Sequence, residues 1–524
     1  MKNRKKAAAL RGGTLFVLLL AGAAVGWMPA PGIAARPAAR VERYLRSIRR
    51  QPPLLTAFFR RMPKGGDLHN HLSGAIYAET YIRWAAAAGD CARQPDEVVI
   101  PPPCGPHAPA IQAALHDSAF YTRLLDAWSM LGWRPALESG HDHFFATFDK
   151  YSLAHRGHFG DMLAEAANRA GREHVIYLEL MDTLDGSMAS HLGMQAGWTP
   201  DLAQMQARLA RAGIARAVAA AERRLDAGET AWRRDLACGT PQAQPGCRVT
   251  VRFLYQAIRA LPPQAVFAQF LTGFQLARHD PRVVGLNLVA PEDGYTALHD
   301  FHLQMQMLDF LHRRYPTVKI SLHAGELTPA LVRPRNLRFH IRESVELGHA
   351  SRIGHGVDIM HETRPFQLLR EMRRRHVLVE ICLTSNWSIL GVAGRNHPLP
   401  LYLRYHVPVA LATDDEGVSR SDMTRQFVRA ERDFQLPYAT LKRMVRDSLD
   451  HAFLAGASLW RAPETFQPVA ACAAGPLGAA RPAPACARFL AGSPKARLEW
   501  RLEGQFQRFE ARYERQATSP RLRN

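Results

Sequence analysis

The chain has 524 residues, 47% of them hydrophobic, and carries a formal net charge of +20. Such a chain can bury a large core and is too long to be a minimal module. We therefore expect one large domain with insertions, or two smaller domains. The basic residues are dispersed and no aromatic-interleaved basic motif accompanies them, so we predict no specific nucleic-acid partner.

Residues 1–34 have the pattern of a secretory signal peptide. A basic stretch at 2–11 precedes an apolar run at 14–27, and small residues ending at Ala34 offer a cleavage site. The run is shorter than the roughly 20 apolar residues of a spanning helix; an uncleaved membrane anchor is the alternative. We therefore predict a periplasmic or secreted protein with no other membrane attachment, and the sequence leaves its oligomeric state open.

The cysteines support export. Six of the seven form three pairs of close neighbours in loop-like sequence, Cys91 with Cys104, Cys238 with Cys247 and Cys472 with Cys486. Local pairs of this kind are typical of disulfides formed in an oxidising compartment. Cys382 lies in an apolar run and is predicted to be a buried, inert thiol.

From residue 62 onwards, short apolar runs alternate with amphipathic stretches. The runs predict eight strands that are nearly continuous in apolar residues, as parallel strands covered on both faces are, at 67–71, 175–181, 249–255, 283–289, 318–323, 353–355, 377–383 and 409–413. Helical patterns between them include 201–227, 295–315 and 365–375. This alternation predicts an α/β fold, a (β/α)8 TIM-type barrel, with a doubly wound open sheet as the alternative.

The barrel is expected over residues 62–460, after an N-terminal helical segment at 35–61. It is longer than the about 250 residues of a typical barrel, so we expect insertions at 91–133 and 183–247. Residues 461–524 are interpreted as a disulfide-stapled loop and a C-terminal helix that docks on the barrel.

Side chains suited to metal binding and proton transfer follow several of these strands. His69 and His71 are two residues apart in an extended strand, so their imidazoles share one face. His323 and Asp414, from the fifth and eighth strands, would complete a site for an ion such as zinc. Glu326, three residues after His323, is placed to transfer protons. These strand ends converge on one mouth only if the sheet closes, which favours the barrel.

In combination, the motifs resemble the adenosine/AMP deaminase family. The lead-in MPKG at 62–65 is closest to the secreted, growth-factor-type adenosine deaminases. The similarity runs from about residue 62 to 454. The matching segments follow the family's order and are MPKGGDLHNHLSGA at 62–75, SLHAGE at 321–326, RIGHG at 352–356, EICLTSN at 380–386 and TDD at 413–415.

The resemblance implies a zinc-dependent aminohydrolase that carries one zinc ion. Its metal ligands would be His69, His71, His323 and Asp414. Glu326 would protonate N1 of a purine, His355 would orient the attacking water and stabilise charge, and Asp415 would contact the ring near N7. Zinc lowers the pKa of water to about 7, so hydroxide can attack purine C6 at neutral pH. Glu326 must start protonated, which requires a pKa raised by burial.

Three departures from the family's pattern affect substrate recognition. Ser73 stands where the nucleoside enzymes commonly have an Asp that holds the ribose 5′-hydroxyl. Ala290 replaces a Gly whose backbone N–H faces purine N3, and the added methyl narrows the pocket. Met181 stands where relatives often carry Arg. We still assign Ser73, Ala290 and Asp415 to substrate binding.

Other residues near these motifs are interpreted as structural. The aromatic residues at 128, 133, 144, 145 and 148 could form a lid, but their helix-like spacing favours core positions. Ser385 and Asn386 are interpreted as residues that hold the loop after the seventh strand in place.

The leading hypothesis is therefore an exported zinc enzyme that deaminates a small-molecule purine nucleoside. Adenosine or 2′-deoxyadenosine would yield inosine or deoxyinosine and ammonia, in purine salvage. One alternative keeps the chemistry and changes the substrate to another aminopurine or a modified adenine nucleoside. The other alternative is a non-catalytic binding module that retains a zinc ion.

Overall fold

The computed structural model describes residues 35–518. The predicted signal peptide, residues 1–34, lies outside the described residues. Within 35–518, no helix combines the length and apolar character needed to cross a membrane.

Eight parallel strands form one sheet, and each overlaps a predicted strand. In chain order they are β1 (Gly65–His71), β2 (Val175–Asp182), β3 (Thr250–Ile258), β4 (Val283–Val289), β5 (Lys319–Ala324), β6 (Arg352–His355), β7 (Leu378–Ile381) and β8 (Val409–Leu411). Each strand pairs with the next one in the chain, so their order in the sheet is their order in the sequence.

The sheet closes between β8 and β1. Asn70 and Asp414 form a parallel bridge, in which the N–H of His71 donates to the carbonyl of Asp414 and the N–H of Asp414 donates to the carbonyl of His69, both at 2.9 Å. The (β/α)8 barrel is therefore confirmed, and the open sheet is excluded. Closure brings the carboxyl ends of all eight strands to one mouth.

Helices surround the barrel. In residues 35–518 they are α1 (Ala35–Ile48), α2 (Pro52–Arg61), α3 (Leu72–Ala75), α4 (Ala78–Ala88), α5 (Ser118–Ala127), α6 (Gly140–Tyr151), α7 (Phe159–Arg172), α8 (Met188–Ala196), α9 (Leu202–Ala212), α10 (Ala215–Asp235), α11 (Pro263–His279), α12 (Tyr295–His299), α13 (Phe301–His312), α14 (His340–Glu346), α15 (Pro365–Arg374), α16 (Leu383–Leu390), α17 (Leu399–Arg404), α18 (Met423–Phe434), α19 (Tyr438–Asp450), α20 (Pro484–Gly492) and α21 (Pro494–Thr518).

The single helical pattern predicted at 201–227 is two helices. Asp201 caps α9 by accepting from the N–H groups of Ala203 and Gln204. Gly213 then ends α9 in the left-handed conformation, with φ 82°, a position that favours glycine. The chain restarts as α10, which continues to Asp235. Amphipathic periodicity on both sides of Gly213 concealed this break.

Two segments interrupt the regular alternation of strands and helices. Between α4 and α6 lie a small antiparallel ribbon, Cys91–Arg93 with Val98–Ile100, and helix α5. Between β2 and β3 lie α8, α9 and α10. The three predicted disulfides are confirmed as Cys91–Cys104, Cys238–Cys247 and Cys472–Cys486. Cys382 is a free, buried cysteine, as predicted.

The last helix, α21, packs against α1 and α19. Leu502, Phe506 and Phe509 on its inner face are buried, and Glu503 forms an ion pair of 2.6 Å with Arg446 of α19. Helix α21 therefore docks on α1 and α19.

Candidate metal centre and active-site cavity

The four predicted metal ligands meet at the mouth of the barrel. His69 and His71 project from β1, His323 from β5, and Asp414 lies just beyond β8. One ligand atom from each lies within 4.8 Å of those of the other three. Three are buried and His71 is nearly so. Residues up to 345 positions apart in the chain are thus brought together by barrel closure.

The distances between the donor atoms fit a tetrahedral ion. Nε2 of His71 lies 3.2 Å from Nε2 of His323, and Oδ1 of Asp414 lies 3.4 Å from Nε2 of both His69 and His71. With metal–ligand bonds of about 2.0–2.1 Å, the edge of a tetrahedron is about 3.3 Å long. The buried Nε2 of His69 also lacks a hydrogen-bond partner among the described residues, as a metal-binding nitrogen should.

Side-chain amide oxygens orient two of these imidazoles. Nδ1 of His71 faces Oε1 of Gln256 at 3.1 Å, and Nδ1 of His323 faces Oδ1 of Asn287 at 2.8 Å. An amide oxygen only accepts, so each Nδ1 carries the proton and each Nε2 presents a lone pair. Two lone pairs 3.2 Å apart repel one another, so we interpret that contact as a cation-binding geometry rather than a hydrogen bond.

His69 is held by a buried charged network. Its Nδ1 donates to Oε2 of Glu380 at 2.7 Å, while Oε1 of Glu380 accepts from Nε of Arg352 at 2.6 Å and from Ser321 Oγ at 3.0 Å. Burial lowers the pKa of His69, but the carboxylates of Asp414 and Glu380 outweigh it and raise the pKa to about 10. This electron-rich pocket attracts positive charge, either a proton or a metal ion.

The other two histidines are kept neutral. Burial lowers the pKa of His71 to about 4. Burial and the neighbouring imidazoles of His69 and His71 lower the pKa of His323 well below its ordinary value. A neutral imidazole is the form that binds a metal ion.

A second group of potential ligands shares two members with the first. Cys382 and His355 have ligand atoms within 4.8 Å of those of His69 and Asp414. We favour the first group, because burial raises the pKa of the Cys382 thiol well above its ordinary value and His355 Nδ1 is already occupied by Asn386. The thiol of Cys382, which the sequence predicted to be buried, therefore lies next to His69 and Asp414.

A chain of hydrogen bonds sets the proton position on His355. The N–H of Leu399 donates to Nδ1 of His397 at 3.1 Å, so Nε2 of His397 carries the proton and donates to Oδ1 of Asn386 at 3.0 Å. The Nδ2 amide of Asn386 then donates to Nδ1 of His355 at 3.0 Å. The proton of His355 is consequently on Nε2, which is buried and points towards Asp414 Oδ2, 4.0 Å away.

Glu326 lies beside His355 on the loop after β5. Its Oε1 is 3.5 Å from Nδ1 of His355 and lacks a hydrogen-bond partner among the described residues. Burial, followed by the charges of Asp414 and Glu292, raises the pKa of Glu326 well above its ordinary value. Glu292 also holds the loop, because its carboxylate accepts from the N–H groups of Gly325 at 3.0 Å and Glu326 at 2.8 Å.

The position of the Asp415 carboxyl group requires a glycine at position 74. A Cβ atom on Gly74 would lie 1.6 Å from Oδ1 of Asp415, so only glycine admits that carboxyl group. Burial and the adjacent charge of Asp414 raise the pKa of Asp415 well above its ordinary value. The backbone here is strained as well, since Asp414, His355 and Ala290 have φ values of 62°, 68° and 88°. Strain of this kind is concentrated at functional sites.

These residues border a cavity of about 620 Å³. The predicted site residues that line it are His71, Ser73, Ala290, His323, Glu326, Asp414 and Asp415. The wall opposite the metal ligands is aromatic and comes from α6, which contributes Phe144, Phe145 and Phe148.

The aromatic residues that we interpreted as core have two environments. Trp128 and Phe144 are buried, whereas Phe145 and Phe148 are half-buried and face the cavity. Helical spacing cannot separate these environments, because the inner face of α6 packs on the core and lines the cavity at the same time.

Sequence reasoning missed most of the residues that contact the metal-ligand candidates from behind. Asn287 and Glu380 are isolated polar residues in otherwise apolar strands, and that signal could have marked them, whereas Gln256 lies in a strand that also contains Arg252. Asn386 was interpreted as pinning a loop, yet its amide contacts His355. Glu292 carried no local signal, because its role depends on backbone N–H groups from a distant loop.

A family model described as adenosine deaminase matches residues 138–458, more than half of the chain. The matched segment contains His323, Glu326, His355, Asp414 and Asp415 and begins after β1. His69 and His71 of β1 lie outside the matched segment, and the fold brings them next to the other predicted site residues.

Curated relatives match shorter stretches. The adenosine deaminase of Clostridium perfringens (strain ATCC 13124) is 28% identical over 136 residues, 26% of this chain and 38% of that protein. The adenosine deaminase of Mycobacterium ulcerans is 27% identical over 222 residues, 41% of this chain and 56% of that protein. The chain thus spans about half the length, or less, of these relatives.

Several solved structures are similar to this chain at TM-scores below 0.5. An adenine deaminase from Arthrobacter aurescens has a TM-score of 0.48 at 17% identity, covering 75% of this chain and 94% of that one. The N6-mAMP deaminase of Arabidopsis has a TM-score of 0.49 at 18% identity, covering 76% of this chain and 95% of that one. Likenesses at these TM-scores do not bear on substrate or mechanism.

Proposed function

The chain belongs to the adenosine deaminase family, and on that premise we propose that it hydrolyses the exocyclic amino group of an aminopurine nucleoside. Adenosine and 2′-deoxyadenosine are the first candidates, with inosine or deoxyinosine and ammonia as products. The observation that carries the proposal is the convergence of three imidazole nitrogens and one carboxylate beside a cavity that is also lined by the nearly buried Glu326.

We assign His69, His71, His323 and Asp414 as ligands of one zinc ion. Three nitrogens and one oxygen suit zinc, and the donor separations of 3.2 and 3.4 Å support this assignment. When bound, the ion supplies Lewis-acid activation of water at neutral pH.

Glu326 acts as the general acid. Burial and the neighbouring carboxylates raise the pKa of Glu326, which favours the protonated carboxyl group, so it can give a proton to purine N1. As a water oxygen bonds to C6, the electron pair of the C6–N1 double bond moves to N1 and is captured as an N–H bond. The ring therefore avoids a negative charge. One proton of the water restores the acid form of Glu326, and the other passes from the new C6 hydroxyl to the amino group. The C6–N bond then breaks with its electron pair, ammonia leaves, and C6 becomes a carbonyl carbon.

His355 and Asp415 stabilise and orient the reacting groups. The Nε2–H of His355 is a donor aimed into the site, and burial lowers the pKa of His355 to about 4, so the ring acts as a neutral donor. Burial and the charge of Asp414 raise the pKa of Asp415, which favours a protonated carboxyl group that can donate to purine N7, an acceptor. A preorganised donor of this kind contributes typically about 2.7–4 kcal/mol to a transition state.

The cavity matches the rest of a nucleoside. A volume of about 620 Å³ lies within the range of about 300–1,000 Å³ of small-molecule sites. Phe145 and Phe148 offer apolar surface to the purine, while Ser73 and the backbone at Ala290 offer polar contacts. The neutral Ser73 and the methyl group of Ala290 also keep another aminopurine, or a modified adenine nucleoside, as the second candidate substrate.

We further propose that the protein acts outside the cytoplasm, in the periplasm or after secretion. Three disulfides support this location, because such bonds persist in oxidising compartments.

The test is an ammonia-release assay on the purified protein with a panel of aminopurines, combined with metal analysis. We expect about one zinc ion per chain and turnover of adenosine or deoxyadenosine. Turnover of another aminopurine alone would replace the proposed substrate. A zinc-loaded protein that releases ammonia from no member of the panel would refute the enzymatic proposal and favour a binding module.

A further inference from the structure

A small polar cavity lies at the end of the barrel opposite the active-site mouth, and we infer that it binds a phosphate group. Its volume is about 290 Å³. Val175, the first residue of β2, lines it, and so does Val249, which directly precedes β3. Parallel strands that end at the mouth begin at the opposite face of the barrel, so this basal cavity is separate from the metal centre. The inference is therefore independent of the proposed function.

Three guanidinium groups line the basal cavity. Arg248 belongs to the short turn before β3, and Arg501 and Arg508 belong to α21. The two arginines of α21 are seven residues apart, which is about two helical turns, so they lie on the same face of the helix. Arg501 is held in place because its Nη1 donates to the carbonyl of Arg248 at 2.7 Å. The cavity thus lies where the C-terminal helix meets the wall of the barrel.

These cations lack a counter-ion. Within residues 35–518, no carboxylate lines the basal cavity, and the side chains of Arg248 and Arg508 form no hydrogen bond or ion pair with that part of the chain. Burial and the charges of Arg248 and Arg508 lower the pKa of Arg501. Burial and surrounding cations that include Arg248 also lower the pKa of His174, a further lining residue. Like charges that converge in this way repel one another, and a bound anion removes the repulsion.

A buried amide gives an independent sign of a ligand. Gln505 follows Arg501 by one turn of α21 and lines the basal cavity. Its Oε1 atom is buried and has no hydrogen-bond partner among the described residues, although buried polar atoms are normally paired. The oxygen and nitrogen of an amide are interchangeable in shape, so the group can turn and present two N–H donors. In that orientation Gln505 donates to the same anion as the arginines.

The end of α7 is the feature that opposes an anion. The C-terminal end of a helix carries a partial negative charge, and Gly171 near this end lines the basal cavity. Its carbonyls are occupied, however. Those of Arg169 and Ala170 accept from the N–H of Glu173 at 3.1 Å, and that of Gly171 accepts from the N–H of His174 at 3.4 Å. The carboxylate of Glu173 accepts from groups at the start of α18. The cations therefore determine the charge of the cavity.

A phosphate group fits this lining. Three guanidinium groups match a multivalent anion, and a phosphate group carries about −1.5 to −2 charges at pH 7. The guanidinium fork also matches the spacing of phosphate oxygens. The volume of about 290 Å³ is just below the range of about 300–1,000 Å³ of small-molecule sites, which favours inorganic phosphate or a small phosphate ester. When bound, the group ties α21 to the turn before β3 and stabilises the folded chain.

Isothermal titration calorimetry of the zinc-loaded protein with inorganic phosphate tests the site. We expect saturable binding, and a Tm that rises more with phosphate than with chloride at equal ionic strength. Arg248→Gln and Arg508→Gln should each weaken binding by about tenfold or more, because each removes a charge-assisted contact. Both side chains are exposed, and zinc content and Tm without phosphate report whether the variants fold. Arg211→Gln, which removes the same charge from an exposed position on α9, is the matched control.

The difference between the wild type and the variants decides the outcome, because phosphate can also bind to a zinc ion. Weakening confined to Arg248→Gln and Arg508→Gln supports the basal site. Binding that is unchanged when both arginines are replaced refutes the site, and so does equal weakening in Arg211→Gln, which would reflect net charge alone. The absence of any stabilisation beyond that of chloride refutes it as well.

A second titration, with glycerol 3-phosphate, identifies the source of the phosphate group. Tighter binding of this ester than of inorganic phosphate would assign the site to a phosphate ester, and the reverse would assign it to the free ion. Either result must disappear in the Arg248→Gln and Arg508→Gln double variant if the basal cavity is the binding site.

Discussion

The side-chain amide of Asn386 donates to Nδ1 of His355 at 3.0 Å, and this bond determines which nitrogen of His355 faces the metal centre. The orientation of that amide is set in turn by His397, whose Nε2 donates to Oδ1 of Asn386. Neither residue touches the cavity, yet together they make His355 a hydrogen-bond donor at Nε2. Catalytic geometry in this barrel is thus set by polar contacts behind the residues that line the cavity.

Replacing the amide by a carboxylate tests this relationship. In Asn386→Asp the new side chain can only accept, so the proton of His355 moves to Nδ1 and Nε2 becomes a bare lone pair. We expect kcat to fall by roughly 10²–10³, the effect of losing one preorganised donor, with zinc content preserved. Steady-state kinetics and metal analysis measure this, and the exposed Asn396→Asp is the control. Full turnover in Asn386→Asp would contradict the assigned tautomer.

Glu326→Gln removes the proposed general acid without changing its size. The amide cannot transfer a proton to N1, so kcat should fall by roughly 10²–10⁴. Bound zinc should stay at about one per chain, because Glu326 is not among the ligands. Glu464→Gln, an exposed glutamate at the other end of the barrel, should be neutral. Retention of turnover in Glu326→Gln would eliminate the proposed mechanism.

Gly74→Ala tests the placement of Asp415. The added methyl would overlap the Asp415 carboxyl group, 1.6 Å away, and must displace it. We expect kcat/KM to fall by at least about tenfold while the barrel stays folded. Gly105→Ala is the matched control, since a Cβ there meets nothing within 4 Å. Equal activity of the two variants would show that Asp415 need not occupy this position.

Glu292 gives the fold a specific pH dependence. Its burial favours the neutral acid, but His340, Arg259 and the N–H of Gly325 outweigh burial and lower the pKa from 4.5 to about 2. The ionised form is therefore stabilised by the fold. The contribution is complete above pH 4.5 and is lost as the pH falls towards 2, and it amounts to about 3 kcal/mol.

Urea unfolding of the metal-free protein measures this effect. Glu292→Gln should be less stable than the wild type at pH 7, and the difference should narrow between pH 4.5 and pH 2. A difference that is constant over that range would mean that ionisation of Glu292 does not stabilise the fold.

Removal of the metal should affect both activity and stability. Without the metal ion, the lone pairs of the three imidazoles and the charge of Asp414 are no longer offset by a cation. A chelator should therefore abolish ammonia release, and added zinc should restore it. Thermal unfolding should occur at lower temperature without zinc, since a ligand that binds only the folded state stabilises it. An unchanged Tm and unchanged activity after verified zinc loss would contradict the metal assignment.

The sequence by itself determined the features that depend on neighbouring residues. Nearly continuous apolar runs identified all eight strands, the spacing of His69 and His71 put both imidazoles on one face, and close cysteines predicted the three disulfides. These patterns are local, because backbone geometry repeats within a few residues.

Only the tertiary structure decided what those strands bring together. Closure between β8 and β1 set Asp414 against His69 and His71, and the orientation of His355 came from Asn386 and His397. Such contacts join residues that are tens to hundreds of positions apart, and their distances depend on how the barrel closes and how its helices pack, which no local periodicity encodes.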